Sequence, residues 1–183
     1  MNNNAALRPD NPTPVLVDPS GFQALREVVL RPDAFFASLP RTGVARAPAL
    51  FALTCIALST VLAWLATGTS DSAVEGLAIP FVFDLVLFAV YLGVTHAVVR
   101  LLLRGQSAGL PATFRILAYG QVGQLVNWLP TVGLAIGLVY ASVLAVIGIR
   151  RMHDASLAVA VAVVALPLVS AGCAAAAYFV IAG

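Results

Sequence analysis

Five apolar segments constrain this chain more than any other feature of its sequence. They cover residues 49–67, 77–103, 114–128, 131–149 and 156–182. Because a helix rises about 1.5 Å per residue, roughly 20 residues cross a hydrocarbon core of about 30 Å. We therefore predict an all-α membrane protein, a five-transmembrane-helix bundle whose long final segment is kinked near Pro167.

Composition excludes a soluble domain and most nucleic-acid binders. Hydrophobic residues make up 61% of the chain and charged residues 10%, with a mean hydropathy of +0.97, whereas soluble domains run near ~45–50% and ~25%. The net charge of +2 is too small to indicate nucleic-acid binding. All ten basic residues are arginine, which is typical of a GC-rich bacterial genome. We therefore expect a protein of the bacterial inner membrane, in contact with membrane lipids.

The polar N-terminal region precedes the first apolar segment. Residues 1–19 are rich in asparagine and proline, which predicts a disordered tail without a signal peptide. Asp18 followed by Pro19 is typical of a helix start, so residues 20–46 are predicted to form two short amphipathic helices. Their predicted apolar faces are Phe22, Leu25 and Val29 in the first helix, and Phe35, Phe36 and Leu39 in the second. These juxtamembrane helices could lie in the membrane interface or pack on the cytosolic end of the bundle.

Arginine placement predicts the orientation in the membrane. Outside the tail, arginines lie before the first span, around the second loop and at the start of the last loop: Arg26, Arg31, Arg41, Arg46, Arg100, Arg104, Arg115, Arg150 and Arg151. Short loops rich in arginine stay cytoplasmic. All of these residues lie inside only if the short segment 114–128 also spans. We therefore predict a cytoplasmic N-terminus and an external C-terminus.

The third segment combines small and polar residues on one predicted face. Gly120, Gly123, Gln124 and Asn127 recur at spacings of three and four, and Gln121 flanks them. An amide facing lipid would leave its donors and acceptors unpaired. We therefore expect these groups to point into the protein, either as interhelical hydrogen bonds or as a polar pocket or pathway.

Two ionisable residues lie within the second segment. Asp84 is predicted to lie about 10 Å from the outer end of this segment. Because inserting an aspartate at the centre of a membrane costs on the order of 2.5–3.5 kcal/mol, we expect Gln124 or Asn127 as its partner. His96, one turn before Arg100, could meet Tyr119 or Arg115. The candidate intramembrane polar site is therefore Asp84, His96, Arg115, Tyr119, Gln121, Gln124 and Asn127. Within this site, Asp84 and His96 serve either as satisfied packing polarity or in a proton relay.

Small residues in the fourth segment indicate how helices pack. Gly133, Gly137, Ala141 and Ala145 fall at four-residue intervals, which lets backbones approach closely. This predicted stripe serves packing within the chain or, alternatively, a homodimer face. Cys55 and Cys173 lie in apolar runs, so we interpret both as small core residues and not as a disulfide.

The sequence carries no recognisable catalytic pattern. Asp84 is the one carboxylate within a predicted span, so a pair of carboxylates for aspartyl chemistry is missing. An HExxH motif for zinc is absent, and His96 and His153 lie on different predicted elements. Neither a GxSxG elbow nor a glycine-rich phosphate loop occurs. We predict a protein that is not an enzyme, with no catalytic, cofactor-binding or metal-binding residue and no cofactor.

The segment from Thr113 to Pro167 contains Phe114-Arg115, Ala118-Tyr119, Pro130 with Gly133, Gly148 before the Arg-His loop, Ser156 and Pro167, and REVVLRPDAFFASLP precedes the first span. In these features the chain resembles the Yip domain family (Ypt-interacting proteins) in its bacterial form. The resemblance implies a five-span bundle with a cytosolic N-terminus, over roughly residues 22–168. For eukaryotic members it also implies binding of small Rab-type GTPases, which does not transfer to a bacterial cell.

Two functional hypotheses follow. In the first, the protein is a membrane scaffold or assembly partner that contacts membrane or cytosolic proteins, through a protein partner or a homo-oligomer. In the second, it is a small transporter or lipid-handling protein that uses the polar face of the third segment with Asp84 and His96. Replacing Asp84 or Gln124 with alanine should abolish flux in a transporter and alter only stability or partner retention in a scaffold.

Overall fold

The computed structural model describes Asp18, Pro19, Ser72 and residues 21–67, 74–105, 107–129 and 132–182, without side chains beyond residue 170. Most of the predicted tail and the side chain of Cys173 therefore lie outside the described residues. Cys55 is buried, as predicted for a core residue.

Helices account for all regular secondary structure in these ranges, which confirms the all-α class. They are α1 (Gly21–Leu30), α2 (Pro32–Ser38), α3 (Arg46–Thr67), α4 (Ile79–Leu103), α5 (Leu110–Gly120), α6 (Gly133–Met152) and α7 (Leu157–Ala182). A π-helical turn, Val74–Ala78, leads into α4, and a 3-10 segment, Gln121–Val126, follows α5. Pro167 lies inside α7.

Among the residues that the structure describes, three helices are long and apolar enough to cross a membrane. They are Arg46–Thr67, Glu75–Leu103 and Gly133–Met152, with 22, 29 and 20 residues. The single helix predicted over residues 114–128 is wrong in detail, because α5 has 11 residues and the backbone then continues as the 3-10 segment. The backbone of α7 is helical over 26 residues.

The 3-10 segment runs in close contact with α6. A Cβ built on Gly123 would lie 2.6 Å from the carbonyl oxygen of Gly137 and 3.1 Å from the Cβ of Ala141, while one built on Gly133 would collide with the carbonyl oxygen of Val126. The small residues of α6 thus face the 3-10 segment, because only they leave room for a second backbone.

Adding one methyl group at Gly123 is expected to destabilise the protein by about 1–3 kcal/mol, because the carbonyl of Gly137 cannot move aside. Gly93→Ala in α4 is the matched control, since a Cβ there meets nothing within 4 Å. This control should keep or slightly raise stability, because alanine favours helix more than glycine. Thermal unfolding in detergent measures both; equal melting temperatures would refute the close approach.

The two N-terminal helices form a hairpin, α1–α2, against the end of the bundle. In α2 the predicted face is correct: Phe35, Phe36 and Leu39 are buried, and α2 packs on α6. In α1 the predicted face is only partly correct, because Leu25 is the one residue of that face that packs against the core. Ala24 and Val28 are buried instead, while Phe22 and Val29 are exposed. The smaller side chains let α1 lie close to α2 and α5, against which it packs.

Candidate functional site

Helix α5 carries a layer of buried polar side chains that binds other parts of the chain. Pro111 in the first turn and Gly109 before it, with a φ of 85°, set the start of this helix. Thr113, Arg115 and Tyr119 all project from α5 and are buried. Arg115 and Tyr119 bond to the segment before α1, and Thr113 contacts two histidines.

Arg115 forms a buried ion pair with Asp18. The Arg115 side chain is 1% exposed and that of Asp18 is 7% exposed. Nε and Nη2 of Arg115 donate to the two carboxylate oxygens of Asp18 at 2.7 and 2.9 Å, and Nη2 also donates to the Val44 carbonyl at 3.1 Å. Asp18 was expected to open a helix; α1 instead begins at Gly21, with the carboxylate held by Arg115.

Tyr119 fastens the same N-terminal segment one turn further along α5. Its hydroxyl donates to the carbonyl oxygen of Pro19 at 2.7 Å. Its ring packs against Phe35 and Phe51, with centroids 4.8 and 5.1 Å away. Arg115 and Tyr119 together hold the chain that precedes α1 against the bundle.

Two more ion pairs tie the hairpin to the end of α6. Arg151 donates to both oxygens of Asp33 in α2, and Arg41, after α2, donates to both oxygens of Asp154. All four side chains are about half exposed or more. Hydrogen bonds from Arg41 hold the pKa of Asp154 below its usual value. Because solvent screens exposed pairs, these two contribute less than the buried one.

A histidine–threonine–histidine cluster joins three elements at the same end of the bundle. The hydroxyl of Thr113 in α5 lies 3.1 Å from Nδ1 of His96 in α4 and 3.2 Å from Nε2 of His153, just after α6. The backbone N–H of Ala108 donates to Nδ1 of His153 at 3.0 Å. The neutral ring of His153 therefore carries its proton on Nε2 and donates it to Thr113.

The His153 ring is held in its neutral form. Burial lowers the pKa of His153 to about 4, and positive charge on His96 and Arg41 adds to this effect. Thr113 thus accepts from His153, and its own hydroxyl proton can go to Nδ1 of His96 or to the carbonyl oxygen of Gly109, which lies 3.4 Å away. Among the described residues, no group of three His, Cys, Asp or Glu side chains comes together as a metal site.

A cavity of about 230 Å³ lies between α4 and α6. Asp84 and Tyr91 line it from α4, and Ser142 from α6. The amides of Gln121, Gln124 and Asn127 line its floor. Its walls are apolar, with Leu87, Leu134, Leu138 and Leu168 among them.

Hydrogen bonds fix the orientation of the floor amides. Nε2 of Gln121 donates to the Leu117 carbonyl at 3.3 Å, so its Oε1 is free to accept from Nε2 of Gln124 at 2.6 Å. This leaves Oε1 of Gln124 buried, and within the part of the chain that the structure describes neither it nor the buried Oδ1 of Asn127 has a hydrogen-bond partner. Unpaired buried acceptors are rare and point to a further interaction.

The predicted polar residues thus divide between two places. Asp84, Gln121, Gln124 and Asn127 share the cavity, although no hydrogen bond joins Asp84 to an amide among the described side chains. Arg115 and Tyr119 lie in the layer at the arginine-rich end. The expected contact of His96 with one of these two is replaced by its contact with Thr113.

Asp18, Thr113 and His153 are not indicated as partners by the sequence. These contacts join residues that are distant along the chain and therefore leave no local sequence pattern: Asp18 and Arg115 are 97 residues apart, and Thr113 and His153 are 40 residues apart. One signal was available for the first pair. An arginine within an otherwise apolar segment requires a carboxylate, because an unpaired buried charge is very costly.

The family of the chain follows from comparison with known proteins. A model of the Yip1 domain matches residues 26–179. No curated protein and no solved structure matches the sequence. The matched region begins in the middle of α1 and ends in α7, so it includes α2, the buried polar side chains of α5 and the residues that line the cavity. Because the match covers most of the chain, the protein belongs to the Yip1 domain family.

Proposed function

We propose that this protein is a non-enzymatic scaffold of the bacterial inner membrane that presents its N-terminal hairpin to a protein partner. One observation carries the proposal. The hairpin and the chain before it are fastened to the bundle by three Asp–Arg pairs, yet Phe22 and Leu30 remain 79% and 66% exposed. An ordered apolar surface beside charged residues is typical of an interaction site.

The fastening distinguishes this hairpin from a helix pair that only floats in the membrane interface. An interfacial helix turns its large apolar side chains toward lipid and needs no fixed contact with the protein. Here Ala24 and Val28 are buried against the protein, and α2 is bonded through Asp33 to Arg151. The position of Phe22 is therefore defined relative to the bundle, as recognition by a partner requires.

The proposed topology keeps five spans, with the N-terminus in the cytoplasm and the C-terminus outside. Helix α5 is too short alone, but its 11 residues rise about 16 Å and the six of the 3-10 segment about 12 Å more. Their sum is close to the hydrocarbon thickness of about 30 Å. This supports a crossing between α4 and α6, which puts the arginines at one end.

Co-purification from native membranes in mild detergent tests the proposal. A tagged protein should retain a partner in a defined ratio, and the double variant Phe22→Ser with Leu30→Ser should lose that partner without losing stability. Val44→Ser is the matched control, because Val44 is also exposed but lies outside the hairpin. Purification without any partner, or equal retention by the two variants, would contradict the scaffold.

A further inference from the structure

We propose that the outer face of α1 binds an acidic amphipathic segment of another protein, in which carboxylates lie between apolar side chains. This outer face consists of Phe22, Arg26 and Leu30 of α1 and of Arg31 directly after it. The inference rests on the proposed scaffold function, because it names the chemistry of the partner that the hairpin would hold. It is carried by the order of these side chains and by the absence of a carboxylate beside either arginine among the described residues.

The outer face alternates apolar and basic side chains along one side of the helix. Phe22, Arg26 and Leu30 follow one another at four-residue intervals, and residues spaced in this way are neighbours on a helix surface. Each step rises about 6 Å, so Phe22 and Leu30 are about 12 Å apart along the axis. The other side of α1, with Ala24 and Val28, is buried against the protein. One guanidinium group is therefore placed between two exposed apolar side chains.

Neither arginine of the outer face is paired with a carboxylate within the part of the chain that the structure describes. The three ion pairs there use other arginines. Arg26 and Arg31 are exposed and line one concave surface together with the two apolar side chains. Glu27, one residue after Arg26, instead accepts a hydrogen bond from Gln23 at 3.1 Å. Because the planar guanidinium fork matches a carboxylate, both arginines are available to carboxylates of a partner.

The position of the charge favours a protein over an anionic membrane surface. A helix that lies in the membrane interface keeps its basic side chains on the polar face and turns a separate apolar face toward the lipid. In α1 the basic side chain of Arg26 lies in the middle of the exposed face, between Phe22 and Leu30. A protein segment with a carboxylate between two apolar side chains would place each group against its counterpart.

A second copy of this chain does not offer the matching chemistry. At the arginine-rich end, three of the four described carboxylates are bonded to arginines. The fourth, Glu27, is turned about 100° round α1 from Arg26. Glu75 and Asp84 belong to the opposite end of the bundle. The described residues thus hold no free carboxylate that suits this face, so we assign it to a different protein.

Binding of a synthetic peptide tests the acidic chemistry. The probe is a fluorescent helical peptide in which glutamate lies between leucines at four-residue spacing, and its counterpart has glutamine in place of each glutamate. The purified protein in phosphatidylcholine nanodiscs should bind the glutamate peptide about tenfold more tightly, because charge-assisted hydrogen bonds are the stronger ones. Raising the salt concentration should reduce this difference. Empty nanodiscs give the background.

Variants connect the preference to the outer face of α1. Arg26→Gln combined with Arg31→Gln should remove the preference for the glutamate peptide, while Arg100→Gln combined with Arg150→Gln should keep it. The control removes the same number of charges from exposed arginines of the same end that lie outside the hairpin. Melting temperatures establish that both variants are folded. Equal binding of the two peptides by the wild type, or an equal loss in both double variants, would overturn the proposal.

Native mass spectrometry of the same samples tests the other two occupants. We expect the wild type and the Arg26→Gln, Arg31→Gln variant to retain phosphatidylglycerol equally and to have the same oligomeric state. Loss of bound phosphatidylglycerol from this variant alone would assign the face to the membrane. Loss of a homodimer from this variant alone would assign it to a second copy. Either result would overturn the assignment to an acidic partner.

Co-purification from native membranes separates failure of this inference from failure of the scaffold. We expect the retained partner to be lost from the Arg26→Gln, Arg31→Gln variant as well as from the variant with serine at positions 22 and 30. A partner that depends on those two apolar side chains but not on the two arginines would overturn the acidic chemistry and leave the scaffold intact. Purification without any partner would contradict the scaffold itself.

Discussion

Replacing Arg115 with methionine is expected to destabilise the protein by about 3–5 kcal/mol, the usual cost of removing one partner from a buried ion pair. The carboxylate of Asp18 would lose both of its hydrogen bonds from the guanidinium and remain almost entirely buried. The Val44 carbonyl would lose a donor as well. Chemical unfolding in mixed micelles, followed by tryptophan fluorescence, would measure the loss.

Two comparisons make this prediction specific. Arg41→Met likewise removes an arginine from an ion pair with aspartate, but both members of that pair are exposed. It should lower the free energy of unfolding much less than Arg115→Met, because solvent screens the exposed pair. Combining Asp18→Asn with Arg115→Met should recover part of the loss, since no charge then remains buried alone. If the two arginine variants had equal stability, the buried pair would not be what holds the N-terminal segment.

Acidification is expected to weaken the fold through His153. Its pKa lies near 4 in the folded protein and near 6.5 when unfolded, so the stability that it contributes is complete above about pH 6.5 and declines as the pH falls toward 4. The difference amounts to about 3 kcal/mol. Protonation would place a second proton on Nδ1, where the ring now accepts the Ala108 N–H.

Unfolding free energies between pH 7 and 4 would measure this effect. His153→Gln should be less stable than the wild type at pH 7 and should lose less stability on acidification. Asp33→Asn is the control, because the lowered pKa of Asp33 puts its titration below this range and its charge does not act on the His153 ring. Parallel pH profiles for the wild type and His153→Gln would show that the ring is not held neutral.

Hydropathy predicted the helices better than it predicted their faces. A long apolar run within a membrane forms a helix, because its backbone groups must be paired internally, so α3, α4 and α6 follow from length and composition alone. In α1 the sequence offers two apolar stripes, one of Phe22 and Val29 and one of Ala24 and Val28. Which stripe is buried depends on how closely α2 and α5 approach, and that distance is a property of the assembled bundle.

Polar partners were the least predictable part of the candidate site. The amides of Gln124 and Asn127 could be placed inside the protein because lipid cannot satisfy them. The partner of Arg115 could not, since Asp18 lies in a polar segment that also fits a helix start. Hydropathy could not predict the short 3-10 segment either. That segment depends on the close contact between the Gly123 and Gly137 backbones, which belongs to the assembled bundle.

Photo-crosslinking in native membranes tests the scaffold most directly. A photoreactive residue at position 22 reports what touches the outer face of the hairpin, and the same residue at position 44 reports background at the same end of the bundle. The scaffold predicts a discrete protein adduct from position 22 that is absent from position 44. Adducts with lipid alone from position 22 would show that the hairpin faces the membrane, which would contradict its role as a partner-binding surface.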